Sequence, residues 1–282
     1  MVLSMAGFAI GDAFVKASSD TMSIAQVLIF MSAPGAIVFA VLGQRAGQPA
    51  FSRAFFDRPV ILRNCIEGAT AICMVSALSM APLGLVIAII QAVPLFVTLG
   101  AALILKERVG PRRWIAVIIG FVGVVLVVGP TTDDVGWLAL APLGSAFFYA
   151  LSGVSARMMD DDVPSPVLSF YSASAAMLGS VIMALAMGGF SPIGTATDLL
   201  WILAMGGFGG CAVITLVISY RMTEQSNLAP FSYFGIPTAF FFGWLFFEEA
   251  PWRDLFPGAI LIVMGGLLVI WRERRLRAQT RV

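Results

Sequence analysis

The chain has 282 residues, of which 59% are apolar and only 12% are charged. Soluble domains average about 45 to 50% apolar and about 25% charged residues. A water-exposed globule of this length would carry large apolar patches, which soluble monomers avoid. The composition therefore excludes a soluble globular domain and a disordered chain, and it predicts an integral membrane protein.

Charge balance and residue types exclude further classes. The 17 Lys and Arg residues nearly match the 16 Asp and Glu residues, which leaves no basic face for nucleic acid. Histidine, the commonest general base and metal ligand, is absent, and the three cysteines lack a metal-ligand spacing. We therefore expect no enzyme, no metal site and no cofactor.

Hydropathy predicts an all-α integral membrane protein with ten transmembrane helices. A helix needs about 20 mostly apolar residues to cross about 30 Å of hydrocarbon. Such runs occupy residues 2–17, 23–43, 60–80, 82–104, 113–129, 135–157, 166–187, 198–220, 227–247 and 254–271. The connectors between them are too short to hold a soluble domain, so the lipid bilayer is the main partner of this chain.

The distribution of basic residues predicts the orientation. Lys and Arg near the ends of spans are retained in the cytoplasm. With ten spans and both termini cytoplasmic, 15 of the 17 basic residues fall on the inside, and only Lys16 and Arg253 fall outside. The predicted location is a bacterial inner membrane.

Matching residues in the two halves indicate an internal repeat. The matches follow one order and lie 141 to 143 residues apart: Lys16 with Arg157, Pro94 with Pro237, Glu107 with Glu249, and Gly123 with Gly265. The sequence predicts one five-helix repeat over residues 1–130, a second over 135–272, and a basic cytoplasmic tail over 273–282. Because five is odd, the second copy enters the membrane from the opposite side, and such inverted repeats can form two states open to opposite sides.

Taken together, these features resemble the drug/metabolite transporter superfamily, and in particular its EamA-domain proteins. The residues that carry the resemblance are a proline in spans 4 and 9, a Glu just after each of those spans, and a glycine-rich closing span in each half. The segments Ile10–Lys16 and Arg112–Trp114 are similar to a bacterial subgroup that includes flavin and S-adenosylmethionine uptake carriers. The resemblance implies a transporter.

Asp12 is the least expected residue because it lies within a predicted span. Ionised groups at membrane depth nearly always face a cavity or a partner. Lys16 lies four residues later on the same helical face, so one interpretation is a structural Asp12–Lys16 ion pair. The other is a site for cargo or for a coupled proton. Both residues are candidates for substrate binding.

Five further polar or aromatic residues complete the predicted site. Glu67 has Arg63 one turn earlier, and the two could form a solvated pair or line a cavity. Gln91 precedes Pro94, which cannot donate a backbone hydrogen bond, so this segment could line the cavity. Tyrosine hydroxyls need partners in apolar surroundings, which makes Tyr149, Tyr171 and Tyr233 candidates for a pocket that stacks on a planar cargo.

These observations predict a secondary transporter that moves a small organic metabolite by alternating access. The expected cargo is a flavin such as riboflavin, an amino acid, or an S-adenosylmethionine-like compound. No GxxxxGK[ST] phosphate loop is present, so a gradient or the cargo itself must supply the energy. Export of amino acids or drugs is the alternative, an intramembrane enzyme and a channel are further rivals, and the sequence leaves proton coupling and the choice between monomer and homodimer open.

Overall fold

The computed structural model describes residues 1–45, 47, 53–107, 109–128, 139–156, 165–187, 189–193, 195–222, 225–249 and 252–280. Within these residues the protein is helical and contains no strand. Its helices are α1 (Val2–Ser18), α2 (Ile24–Arg45), α3 (Arg58–Met80), α4 (Leu83–Ile90), α5 (Val93–Leu103), α6 (Pro111–Val128), α7 (Leu140–Ala156), α8 (Ser165–Met187), α9 (Ala196–Met222), α10 (Gln225–Ser232), α11 (Gly235–Phe247) and α12 (Trp252–Thr280), with a 3-10 turn at Arg53–Phe56. Arg157, one of the matched residues of the repeat, lies outside the described residues.

The helices form a multi-pass membrane protein. Six segments within the described residues are long and apolar enough to cross a bilayer: Ile24–Arg45, Arg58–Met80, Leu83–Leu103, Val167–Leu185, Ala196–Tyr220 and Pro230–Phe247. Shorter apolar helices cover Arg113–Val127, Leu140–Ser155 and Pro257–Trp271. Each predicted span coincides with one of these segments or with α1.

Two of the predicted spans each contain two helices. Span 4 breaks between α4 and α5, and span 9 breaks between α10 and α11. A proline follows each break, and proline lacks the N–H that would continue the hydrogen-bond ladder. Helix α12 continues into the predicted tail as far as Thr280.

Several local features occur twice at the spacing seen in the sequence. The hydroxyl of Ser4 in α1 donates to the Ala212 carbonyl of α9 at 2.9 Å, and that of Ser145 in α7 donates to the Thr70 carbonyl of α3 at 3.3 Å. Both α5 and α11 are followed by a non-glycine residue with φ of 54°, Lys106 and Glu248. The next backbone N–H, of Glu107 or Glu249, returns to a carbonyl six residues earlier.

Helices α6 and α12 approach each other closely through glycines. A Cβ atom at Gly123 would lie 2.7 Å from both the Gly258 carbonyl oxygen and the Ile262 backbone nitrogen, which cannot move aside as a side chain could. At Gly179 in α8 a Cβ atom would have no heavy atom of another segment within 4 Å. The close packing of α6 against α12 therefore requires glycine at position 123.

The substitution Gly123→Ala is expected to destabilise the protein by about 1 to 3 kcal/mol, the usual penalty for overpacking. The measurement is the melting temperature of the detergent-purified protein. Gly179→Ala is the matched control and should melt at or slightly above the wild-type temperature, because alanine favours helix over glycine. Equal melting temperatures for Gly123→Ala and wild type would contradict the close packing.

Candidate functional site

Five of the seven predicted site residues lie near the middle of their helices or at the breaks in the two broken spans. Asp12, Glu67 and Tyr149 lie close to the middle of α1, α3 and α7. Gln91 and Tyr233 lie at the breaks in spans 4 and 9. In transporters with broken helices, cargo binds near the bilayer midplane beside such breaks. These residues therefore define the candidate site.

Arg63 and Glu67 are the centre of a polar network between α3, α7 and α8. Arg63 donates from Nη2 to Glu67 Oε1 at 3.2 Å and from Nη1 to Ser172 Oγ at 2.8 Å. Ser152 donates to the same Glu67 oxygen through a short hydrogen bond, and Ser172 donates to Asn64 Oδ1 at 3.2 Å. The predicted pairing of Arg63 with Glu67 is confirmed. The pair is more than a solvated surface contact, because side chains of two other helices hold it.

Tyr149 borders this network and is accessible. Its side chain is 56% exposed, although it lies in the middle of α7. It interacts electrostatically with Glu67 and Arg63 of α3 and also with Tyr220 of α9. Tyr149 of α7 and Tyr220 of α9 therefore lie near enough to interact, although they belong to different helices.

Asp12 directly follows the residue of α1 that packs against α9, and it is itself partly buried. Gly11 contacts α9, whereas Asp12 shares its face with Lys16, one turn later. Among the described residues no side chain or backbone group pairs with the Asp12 carboxylate, and Lys16 binds elsewhere. The predicted Asp12–Lys16 ion pair is therefore wrong. A carboxylate at this depth without a protein partner is available to a ligand or a proton.

Lys16, Glu249 and the first residue of α4 form a compact clamp at one end of the bundle. Lys16 Nζ lies 2.6 Å from Glu249 Oε1 and donates to the Ala81 carbonyl at 2.6 Å. The other carboxylate oxygen of Glu249 accepts the backbone N–H of Leu83 at 2.8 Å. The Lys16 ammonium also lies 5.3 Å from the centre of the Phe247 ring. This Lys16–Glu249 clamp joins α1, α4 and the end of α11.

The pairing of Lys16 with Glu249 has a physical reason. Lysine has a long flexible side chain, and Lys16 near the end of α1 can reach the ends of α3 and α11 as easily as its own helix. Glu249 also satisfies a helix amino terminus, where backbone N–H groups lack partners and a negative charge is favoured. Both side chains are mostly buried, with exposed fractions of 16% and 18%. The ion pair is thus more strongly stabilised than an Asp12–Lys16 pair on one helix.

The two breaks each hold a buried polar atom without a protein partner. Gln91 Nε2 and the Tyr233 hydroxyl make no hydrogen bond within the described part of the chain. The Tyr233 hydroxyl occupies the space that a side chain at Gly266 would fill, so the tyrosine is directed towards α12. Gln91 and Tyr233 therefore lie at the breaks with one polar atom each that no described protein group satisfies.

Tyr171 is the predicted site residue that the fold separates from the others. Its side chain has an exposed fraction of 0%, and its ring packs edge-on against Phe55 at 5.2 Å. Val60 and Val167 complete this small apolar cluster. The position gives Tyr171 a packing role near the beginning of α3 and α8, and we leave it out of the candidate site.

Sequence reasoning did not assign three residues to the site: Ser152, Ser172 and Tyr220. Serine is common in membrane helices, where its hydroxyl can bond within its own helix, as Ser155 does to the Ser152 carbonyl. Tyr220 lies near the end of its span, where aromatic residues also occur as interfacial anchors. Only the helix crossings reveal that these residues surround Glu67 and Tyr149.

A family model described as "EamA-like transporter family" matches residues 1–129 and again 136–271. The chain belongs to the EamA-like transporter family. Its members are small-molecule transporters of the drug/metabolite transporter superfamily, as the predicted resemblance implied. A solved structure titled only as a crystal structure of a protein is similar to this chain with a TM-score of 0.60 and 18% identity, over 97% of this chain and 98% of the other.

Several EamA-like relatives have named activities. A "Riboflavin transporter" of Rhizobium johnstonii is 33% identical over 71% of this chain and 66% of its own length. An "S-adenosylmethionine uptake transporter" of Rickettsia bellii is 25% identical over 70% of this chain and 67% of its own. A "Pseudopaline exporter" of Pseudomonas aeruginosa is 28% identical over 94% and 92%. The match to the riboflavin transporter thus spans just under two thirds of that protein.

Proposed function

We propose that the chain is a bacterial inner-membrane secondary transporter that carries a small organic metabolite by alternating access. Its ten spans form two inverted repeats of five, over residues 1–130 and 135–272, with both termini in the cytoplasm. The two separate matches of the family model have nearly these limits. The recurring hydrogen bonds of Ser4 and Ser145, and the breaks in both span 4 and span 9, also support the repeat.

The observation that carries this proposal is the arrangement of the two broken spans. On the Lys16 side of the breaks, α4 and α11 pack together, with Gly84 against the Phe240 ring and Leu83 bound to Glu249. This packing closes the space between the two broken spans at one end, which corresponds to one of the two states that alternating access requires. By the distribution of basic residues, the closed end is periplasmic.

The proposed cargo is a flat metabolite such as riboflavin. The similarity to a riboflavin transporter supports it, and so does the accessible tyrosine beside hydrogen-bonding groups, because an aromatic ring can stack on a planar ligand. Amino acids and S-adenosylmethionine-like compounds remain candidates on the same grounds. Export is the second candidate direction, favoured by the pseudopaline exporter, which matches nearly the whole chain.

Transport by reconstituted protein is the direct test. We expect proteoliposomes to take up riboflavin saturably, and unlabelled riboflavin loaded inside to accelerate entry of the labelled compound, because a carrier returns faster when it is loaded. A channel would show no such acceleration. Protein-free liposomes are the control, and the orientation of the inserted protein separates uptake from export. Absence of carrier-mediated movement for riboflavin, S-adenosylmethionine and a panel of amino acids would overturn the proposal.

A further inference from the structure

Two helix crossings in the protein share one geometry but differ in chemistry. The Ser4–Ala212 hydrogen bond sets the register of α1 against α9, and the Ser145–Thr70 hydrogen bond sets the register of α7 against α3. Seven residues further along α1, Gly11 lies against Gly209, where its Cβ would be 3.6 Å from the Gly209 nitrogen. The two crossings can therefore be compared position by position.

Seven residues after Ser145, the second crossing carries polar groups where the first carries glycines. Ser152 stands at the position of Gly11, and Glu67, to which it donates, stands at the position of Gly209. Small residues are the ordinary way to bring membrane helices close together. The first crossing demonstrates that glycines suffice for this contact.

The charged residues of the second crossing therefore need another explanation. An ionised side chain at membrane depth is unfavourable by about 2.5 to 3.5 kcal/mol on insertion scales. The charges of Arg63 and Glu67 compensate each other, but the network is incomplete. Within the described residues, the buried Nε of Arg63 has no hydrogen-bond partner, while the Glu67 side chain keeps an exposed fraction of 24%. Each terminal nitrogen of Arg63 also carries a second N–H, and the Arg63 side chain is 13% exposed, so the network retains further donors beside a partly accessible carboxylate.

We infer that Arg63, Glu67 and Tyr149 form a cargo-binding subsite for the edge of an uncharged planar heterocycle that has a carbonyl next to an N–H, such as a lactam or an imide. Arg63 donates to the carbonyl, Glu67 accepts the N–H, and the accessible ring of Tyr149 stacks on the flat face. This inference rests on the proposed transport function and adds the chemical class of the cargo.

The neutrality of the pair favours an uncharged edge over a zwitterion. Arg63 and Glu67 already satisfy each other's charge at 3.2 Å. An uncharged edge can hydrogen-bond to both side chains without separating them. An amino acid zwitterion would have to break the pair to bind its ammonium and carboxylate groups, and separating a buried ion pair is costly.

The test is equilibrium binding to the purified full-length protein, with riboflavin as the probe because its ring carries an imide. N3-methylriboflavin, which lacks the imide N–H, is the matched ligand. We expect Glu67→Ala and Arg63→Ala each to raise the Kd for riboflavin about tenfold or more, since each removes a hydrogen bond to a charged group. The methyl group should weaken binding to wild type but not weaken it further in Glu67→Ala.

Three protein controls separate binding from folding. Ser145→Ala removes a hydrogen bond in the same crossing and should leave the Kd unchanged. Tyr149→Leu should weaken binding about fivefold through lost stacking, and Tyr149→Phe, which keeps the ring, should weaken it less. Tyr149 is accessible, so both variants should fold, and each protein is checked by its melting temperature.

Three outcomes would overturn the inference. The first is an unchanged Kd in the Glu67 and Arg63 variants. The second is wild-type protein that binds N3-methylriboflavin as tightly as riboflavin or binds neither compound. The third is binding of an amino acid, rather than riboflavin, that depends on Arg63 and Glu67. If the protein binds an amino acid in this way, or transports another metabolite, the proposed carrier function stands and the imide subsite is rejected.

Discussion

Replacing Glu249 with alanine is expected to unseal the closed end of the protein. The carboxylate binds the Lys16 ammonium and the Leu83 N–H, at 2.6 and 2.8 Å, and both groups lose their partner in the variant. Removing one member of a mostly buried charge pair costs about 3 to 5 kcal/mol. If half of this cost is specific to the sealed state, the ratio of sealed to open protein falls by about 10-fold to 100-fold.

The measurement is the labelling rate of a single cysteine placed in the seam between α4 and α11. Ile87 is suitable because it is 8% exposed and lies against Gly235. In a background without the native cysteines, Ile87→Cys should react slowly with an impermeant maleimide added from the Lys16 side, and at least several times faster with Glu249→Ala.

Glu107 provides the matched control. It follows α5 as Glu249 follows α11, and its backbone N–H makes the corresponding hydrogen bond. Glu107→Ala should not accelerate labelling from the Lys16 side. Slow labelling in Glu249→Ala, or equal acceleration by both substitutions, would show that the clamp does not seal this end.

The second large effect is expected for Asp12→Asn, which removes the charge with almost no change in shape. Because no described group pairs with the carboxylate, we expect the fold to tolerate the substitution. If Asp12 carries the coupled proton, the variant should still exchange cargo but should no longer accumulate it. With one proton per cargo, a pH difference of about one unit supports about tenfold accumulation in wild type.

Accumulation in proteoliposomes with an imposed pH gradient tests this role. Asp20→Asn is the control, since this exposed residue follows α1 at the end of the bundle. It should leave accumulation unchanged. Wild-type accumulation by Asp12→Asn would exclude Asp12 as the coupling site, and loss of exchange as well would assign it to cargo binding instead.

The positions of the spans were predictable because a run of about 20 apolar residues favours the lipid interior whatever its tertiary contacts are. Each apolar run of the required length became a helical segment. The breaks in spans 4 and 9 were harder to predict, although Pro94 and Pro237 lie beside them. Each break lies just before its proline, and the sequence does not indicate whether a helix bends or ends there.

The contacts of the candidate site were less predictable than the positions of its residues. Lys16 has a possible partner four residues away, yet it binds Glu249, which lies 233 residues further along the chain. Helical periodicity contains no information about such a contact. The surroundings of Tyr171 were unpredictable for a related reason, because the segment before α3 brings Phe55 edge-on against its ring. Local rules identified polar residues at depth, but tertiary packing chose their partners.

The position of Glu249 has a consequence for leakage of solutes. The residue follows directly after the left-handed turn that ends α11, so its carboxylate moves with that helix end. A displacement of this end of α11 therefore disturbs two interactions at once, the ion pair with Lys16 of α1 and the hydrogen bond from the first residue of α4. The three helices must therefore separate together, which disfavours half-open forms that would let ions slip past without cargo.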